Sequence, residues 1–207
     1  MTRGLGMQLL LLCLLTGCAS TPQWTPRPVV TERPTPTSEP GSPSSPASPT
    51  SAAPTIPAAS GAIDANGYDS AHFASPTGRI WCALYAEWTL CHFPNGMDTS
   101  QVPDPDEVCP GAELDVTGVS LVEKADYFCS GGAEALPQTN GEYVGWWKKA
   151  KLPSVTYDGQ KLAVLPYGRK LAKGPWVCES AKSGVTCGNT ATGKGFRVAL
   201  AGVTLIG

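Results

Sequence analysis

Only two imidazoles, His72 and His92, are available for acid–base work. A nucleophile–base site needs a serine or cysteine within hydrogen-bond reach of a histidine, with a third group orienting the ring. Neither a Gly-x-Ser-x-Gly elbow nor a His-Glu-x-x-His pair occurs. His92 follows Cys91 in a strand-like run, so its ring is expected to pack or to face solvent. Asp104, Asp106 and Glu107 could pair carboxylates for glycoside hydrolysis, but beside Pro103 and Pro105 they are expected simply to solvate a loop. No catalytic residue is assigned. A hydrolase acting through acidic residues or His92 stands as an alternative.

Two near-motifs dissolve on inspection. Gly188-Asn-Thr-Ala-Thr-Gly-Lys-Gly195 almost spells a phosphate-binding loop, but Gly195 stands where Ser or Thr must ligate magnesium. A glycine turn between strands is expected, and no nucleotide. Leu136-Pro-Gln-Thr-Asn140 resembles a sorting signal without the apolar span and basic tail such a signal requires. Gly145-Trp146-Trp147-Lys148-Lys149-Ala150-Lys151 is the stretch best suited to binding. On a strand, adjacent residues face opposite ways. One tryptophan could then be core while the other, flanked by lysines, stacks on a sugar or touches an anionic surface. The competing expectation is an edge strand whose lysines block aggregation.

Cysteine spacing says more. Six cysteines follow Cys18: Cys82, Cys91, Cys109, Cys129, Cys178 and Cys187. An even count in an exported chain reads as a disulfide framework. Eight residues separate Cys82 from Cys91 and eight separate Cys178 from Cys187, each with hairpin-like flanks. Residues equidistant from a tight turn face each other at about 4.5–5.5 Å, within disulfide range. The expected pairs are Cys82–Cys91 and Cys178–Cys187, although a bulge at Gly184 would shift the second register. Cys109–Cys129 then closes the middle loop. A metal centre is not expected, since no Cys-x₂-Cys occurs and histidines are few; no cofactor is expected either.

Oxidised cysteines imply an exported chain, and the N-terminus agrees. Arg3 precedes an apolar run from Met7 to Leu15, too short to span a bilayer. Leu15-Thr-Gly-Cys18 resembles a bacterial lipobox. That resemblance implies a diacylglyceryl group on the Cys18 sulfur and cleavage just before it. Residues 1–17 are thus expected to form a lipoprotein signal peptide, with the mature chain on the outer face of the cell membrane. Eleven of the 20 prolines lie between Thr21 and Ser60, among Ser, Thr and Ala. Residues 18–65 are expected to be a disordered linker that cannot bury enough apolar surface to offset ordering entropy. Residues 66–207 are expected to hold one core.

Short strand-like runs with glycine turns characterise that remainder: Arg79–Tyr85, Trp88–Phe93, Glu113–Val116, Val155–Tyr157, Lys161–Leu165, Trp176–Ser180, Val185–Gly188, Phe196–Leu200 and Val203–Ile206. They indicate an all-β domain, a small antiparallel sandwich or barrel stapled by three disulfides. Val119–Phe128 reads as strand, with a short helix as the alternative. A formal net charge of −2 excludes a strongly basic nucleic-acid binder. The charge is uneven, however. Residues 66–142 hold 12 acidic side chains against two basic, and residues 143–207 hold 10 basic against two acidic. The simplest expectation is that both halves interleave in one sheet system. Segregation in space would instead create a surface suited to a charged partner.

Phe73-Ala-Ser-Pro-Thr-Gly-Arg-Ile-Trp-Cys82, Leu165-Pro-Tyr-Gly168, Cys178-Glu-Ser180, Gly184-Val-Thr-Cys-Gly-Asn189 and Thr192-Gly-Lys-Gly-Phe196 resemble an uncharacterised secreted domain common in actinobacterial exported proteins and lipoproteins. The resemblance implies an all-β, disulfide-bearing, extracytoplasmic domain and assigns no activity. Together these features lead us to expect a lipid-anchored envelope protein whose β-domain binds a cell-wall glycan or protein partner without catalysis. A structural or inhibitory role is the third alternative. If the lipid at Cys18 is the anchor, a Cys18→Ala form leaves the membrane pellet for the soluble fraction on ultracentrifugation. Undiminished pelleting would contradict it.

Overall fold

Alternation of side chains along each strand sorts this chain into two sheets and decides what lies between them. The computed structural model describes residues 53–207; the leader, Cys18 and most of the linker lie outside the described residues. The strands are β1 (Ile63–Asp64), β2 (Ala71–Ala74), β3 (Trp81–Leu84), β4 (Thr89–His92), β5 (Val116–Leu121), β6 (Ala125–Cys129), β7 (Ser154–Tyr157), β8 (Gln160–Ala163), β9 (Lys170–Lys173), β10 (Trp176–Ala181), β11 (Gly184–Asn189), β12 (Gly195–Ala199) and β13 (Gly202–Ile206). Two short helices join them, α1 (Pro105–Val108) and α2 (Gly145–Ala150).

The first sheet is an antiparallel meander, β2-β3-β4-β5-β6, and the second runs β1-β9-β10-β11-β12-β13. Only β1 against β9 is parallel in the latter. Strands β7 and β8 form a separate hairpin turned by Asp158 and Gly159, both at positive φ. Neither sheet closes on itself, so the architecture is the sandwich and not the barrel. Residues Phe73, Cys82, Leu84, Cys91, Val119 and Leu121 of the first sheet share one buried cluster with Leu171, Cys178, Val185, Cys187, Phe196 and Val198 of the second. Ala83 and Leu90, one residue out of phase, instead form a smaller cluster on the far face, with Ala135 and Trp81.

Three disulfides form as the spacing predicts: Cys82–Cys91, Cys109–Cys129 and Cys178–Cys187. Tyr85 N–H donates to the Trp88 carbonyl at 2.8 Å, so counting in twos makes Cys82 and Cys91 a non-hydrogen-bonded pair. Such pairs bring Cα atoms closest, and here they stand 4.1 Å apart. The β10–β11 hairpin repeats this with Cys178 opposite Cys187 and Cα atoms 4.0 Å apart. No bulge at Gly184 displaces the register. The two cystines stack across the sandwich, Cys91 Sγ 3.7 Å from Cys187 Sγ. The grouping of Cys82, Cys91 and Cys187 sulfurs within 4.8 Å of one another arises from this stacking.

Four expectations need correction. The domain begins before residue 66: β1 joins the second sheet, Ala65 is fully buried, and Lys170 Nζ donates to the Ala58 carbonyl at 3.0 Å. Ile63 pairs with Leu171 of β9, a long-range contact that proline-rich composition does not foretell. The Gly145–Lys149 stretch is helical, not a strand. Glu113–Asp115 are not strand, since β5 starts at Val116. The two charge halves do not interleave: β2 to β6 draw on residues 71–129 and β9 to β13 on residues 170–206. The Val119–Phe128 stretch, by contrast, holds the end of β5, a bend over Val122–Lys124 and most of β6, and no helix. No helix among the described residues is long and apolar enough to cross a membrane.

Removing the Cys82–Cys91 bridge by paired alanine substitution should cost about 3 kcal/mol, by the loop-entropy relation for so short a loop. Guanidinium unfolding checks this, and an unchanged midpoint would contradict it.

Candidate functional site: a composite groove at one end of the sandwich

The turn between β2 and β3 is built to aim side chains outward. Gly78 N–H donates to the Ser75 carbonyl at 2.8 Å, and Ile80 N–H donates to Ser75 Oγ at 3.2 Å. Pro76 supplies the fixed φ such a turn favours. Gly78 sits at φ 75°, and a Cβ there would fall 2.6 Å from Tyr157 Cβ. Glycine therefore lets the Tyr157 ring close on the turn backbone. Trp81 Nε1 donates to the Gly78 carbonyl at 2.6 Å, and Trp81 meets Tyr157 edge-on with ring centres 6.4 Å apart. Asn95 Nδ2 donates to the Tyr157 hydroxyl at 3.1 Å.

Two clefts flank this turn and share Arg79 and Pro94. The first, of about 340 Å³, is lined by Trp81, His92, Asn95, Thr99 and Tyr157 among others. The second, of about 350 Å³, lies where the sheets meet at one end and is lined by Ser75, Thr77, Tyr167, Lys182 and Arg197. Gly184 belongs to its wall; at φ 129°, a Cβ there would lie 2.4 Å from the Val198 carbonyl, so only glycine lets β11 run this close to β12.

His92 opens onto the first cleft, opposite Trp81 in the sheet register. Its Nε2 approaches Glu134 Oε2 to 2.9 Å but is not aligned for a hydrogen bond. The Ser130 hydroxyl donates to the other carboxylate oxygen of Glu134, not to the imidazole. Burial pushes the His92 pKa below its ordinary value, against the opposing pull of Glu134 and the Thr117 backbone. Burial would raise the Glu134 carboxyl, yet the Ser130 hydroxyl and His92 outweigh it and hold the pKa low. A carboxylate stands where a triad would need the serine, so no nucleophile is primed.

The other residues singled out by sequence lie elsewhere. Trp146 is core, with its Nε1 donating to the His72 carbonyl at 3.2 Å. Trp147 is half-buried and donates to the Pro153 carbonyl at 2.8 Å. Lys148, Lys149 and Lys151 are exposed on and just after α2, and none of the five lines either cleft. Asp104 caps α1, its Oδ1 accepting from Asp106 N–H at 2.9 Å, while Asp106 and Glu107 face solvent. Leu136–Asn140 lies along the β7–β8 hairpin, with Thr139 N–H donating to the Lys161 carbonyl at 3.0 Å. The Gly188–Gly195 stretch makes a turn, Asn189 N–H donating to the Lys194 carbonyl at 2.8 Å before β12. Strand, not helix, follows. Arg79, Tyr157, Tyr167, Lys182 and Arg197 were not expected as site residues. Four of them lie in or beside the quoted family-like segments, which was the available signal.

His72 belongs to neither cleft. Its ring stacks on Tyr143 with centres 4.3 Å apart and meets Tyr85 edge-on at 5.5 Å. Burial lowers its pKa from 6.5 to about 4, with the Leu136 backbone opposing more weakly. The unfolded chain therefore takes up this proton first. Stability is complete above pH 6.5 and declines as the pH falls toward 4. The expected loss is about 2 kcal/mol by pH 5. Denaturant titrations at pH 7 and pH 5 check it: His72→Phe should shrink the loss, and a slope identical to the parent's would contradict it.

Compared with known proteins, no family model, curated protein or solved structure matches the chain, so the groove's own chemistry carries the functional conclusion.

Proposed function

We propose that this chain is a lipid-anchored, extracytoplasmic binding module that holds an extended cell-wall glycan or an envelope protein along the composite groove, without catalysis. The observation that carries it is the pair of clefts joined at Arg79, lined by aromatic edges and hydroxyls. Aromatic faces and edges with nearby polar groups suit a ring-bearing polar ligand. The likeness of Leu15–Cys18 to a lipobox and the cystine framework support an anchored position outside the cytosol. Two acyl chains give stable membrane attachment.

This reading moves the binding surface away from Trp146 and Trp147, because one is core and the other is tied to Pro153. The second reading, a hydrolase, draws on the approach of His92 to Glu134 in the first cleft. It lacks a serine or cysteine bonded to that imidazole.

Retention of the full-length protein on isolated cell-wall material tests the groove. Replacing Tyr157 by Ser and Tyr167 by Ala together should weaken retention about tenfold, as two aromatic contacts of roughly 0.7 kcal/mol each are lost. Lys148→Gln/Lys149→Gln/Lys151→Gln should bind like the parent. Unchanged retention in the tyrosine variant, with its near-ultraviolet circular dichroism intact, would overturn the proposal. Release of soluble fragments that His92→Gln abolishes would replace it with the hydrolase.

A further inference from the structure

Arg79, Lys182 and Arg197 all line the second cleft, and no carboxylate lines it. They arrive on three separate segments: the β2–β3 turn, the tip of the β10–β11 hairpin, and β12. None takes part in a salt bridge among the described residues, where the only pairs are His92–Glu134 and Lys124–Asp126. Arg197 is held in place by Ser183, another residue of the cleft wall. Its Nε donates to the Ser183 carbonyl at 3.1 Å, and Nη2 donates to the same oxygen. Asp98 meets the cleft wall through its backbone, donating N–H to the Leu200 carbonyl at 2.9 Å. Its carboxylate instead accepts from Ser100 N–H at 3.0 Å.

Cations brought together without a counter-ion repel one another, and an anion between them relieves that repulsion. Ser75, Thr77 and Tyr167 line the same cleft and add hydroxyl groups. From this arrangement we infer that the second cleft binds a phosphate group, and that the groove's ligand is an anionic polymer with phosphodiester links. Donors from three sides fit a tetrahedral oxyanion, whereas a planar carboxylate is satisfied by one arginine fork. Beyond Arg79 the groove continues past Trp81 and Tyr157, where the sugar or polyol between phosphates would lie. Segregation of charge by sheet explains how a protein of net charge −2 presents such a cleft. The three cations lie in a cleft whose hairpin and β12 walls come from the basic half of the chain.

The inference rests on the groove being a ligand surface, and the experiment separates the two. Fluorescently labelled poly(glycerol phosphate) is titrated with full-length protein in neutral detergent, with polygalacturonate and phosphatidylglycerol vesicles as parallel probes. Arg79→Gln/Lys182→Gln changes two exposed side chains, so folding should persist. It should weaken poly(glycerol phosphate) binding at least about tenfold, and parent binding should fall steeply between 50 and 200 mM salt. The lysine variant Lys148→Gln/Lys149→Gln/Lys151→Gln should bind as the parent does. Equal loss in that variant would show charge without a site and overturn the inference. So would equally tight binding of polygalacturonate, or a preference for the vesicles that the Arg79/Lys182 variant loses. Should the tyrosine variant lose cell-wall retention while the Arg79/Lys182 variant binds poly(glycerol phosphate) normally, the groove stands and the phosphate site falls.

Discussion

The contact on which this domain depends is the one between its two cross-strand cystines. Cys91 and Cys187 meet sulfur to sulfur at 3.7 Å inside the buried cluster the two sheets share. Each cystine welds one hairpin internally, and their contact sets how those hairpins face each other. Large apolar residues then fill in around them, Phe73, Leu84 and Leu121 from one sheet and Leu171, Phe196 and Val198 from the other. A domain of this size gains a limited hydrophobic stabilisation, so covalent constraint on the unfolded chain is a large share of the whole. Oxidising conditions that let the cystines form are then a condition of folding.

The same geometry determines where a ligand can be held. Once the hairpins face each other, the β3–β4 turn lies beside the start of β10, where Trp176 Nε1 donates to the Ala86 carbonyl, and the β2–β3 turn at the other end of the first sheet lines one cleft with the β10–β11 tip. Residues about 100 positions apart in the chain, Arg79 and Lys182, thereby line one cleft. Glycine permits both close approaches, at Gly78 under Tyr157 and at Gly184 against Val198. The acidic and basic halves of the sequence become separate sheets, which turns a one-dimensional asymmetry into a local one.

Much of the scaffold was legible because hairpin symmetry is a local property. Equal spacing on either side of a short turn specified both cystine pairs, and short strand-like runs between glycine turns specified the all-β class. The α2 segment was not legible. Six residues are fewer than two turns, and adjacent tryptophans suit a strand as well as a helix. Trp146 and Trp147 looked available because their anchors, the carbonyls of His72 and Pro153, are tertiary partners. The start of the domain was hidden for a related reason. Ile56 and Ile63 are isolated apolar residues in and just after proline-rich sequence, and what they meet, Gly188 and Gly195 for one and Leu171 for the other, lies more than 100 residues away in the chain. The groove was least legible of all, since its walls come from eight stretches no local pattern connects. Its only trace was that several quoted segments, those around Gly78, Tyr167 and Gly184, fall at turns.

Amide hydrogen exchange of the full-length chain, compared between the parent and a Cys178→Ala/Cys187→Ala form, tests the central dependence most directly. If the stacked cystines couple the sheets, protection falls together in β10–β11 and in β3–β4, and the Arg79–Trp81 amides at the groove loosen with them. Loss confined to β9 through β12, with β3–β4 as protected as in the parent, would contradict it.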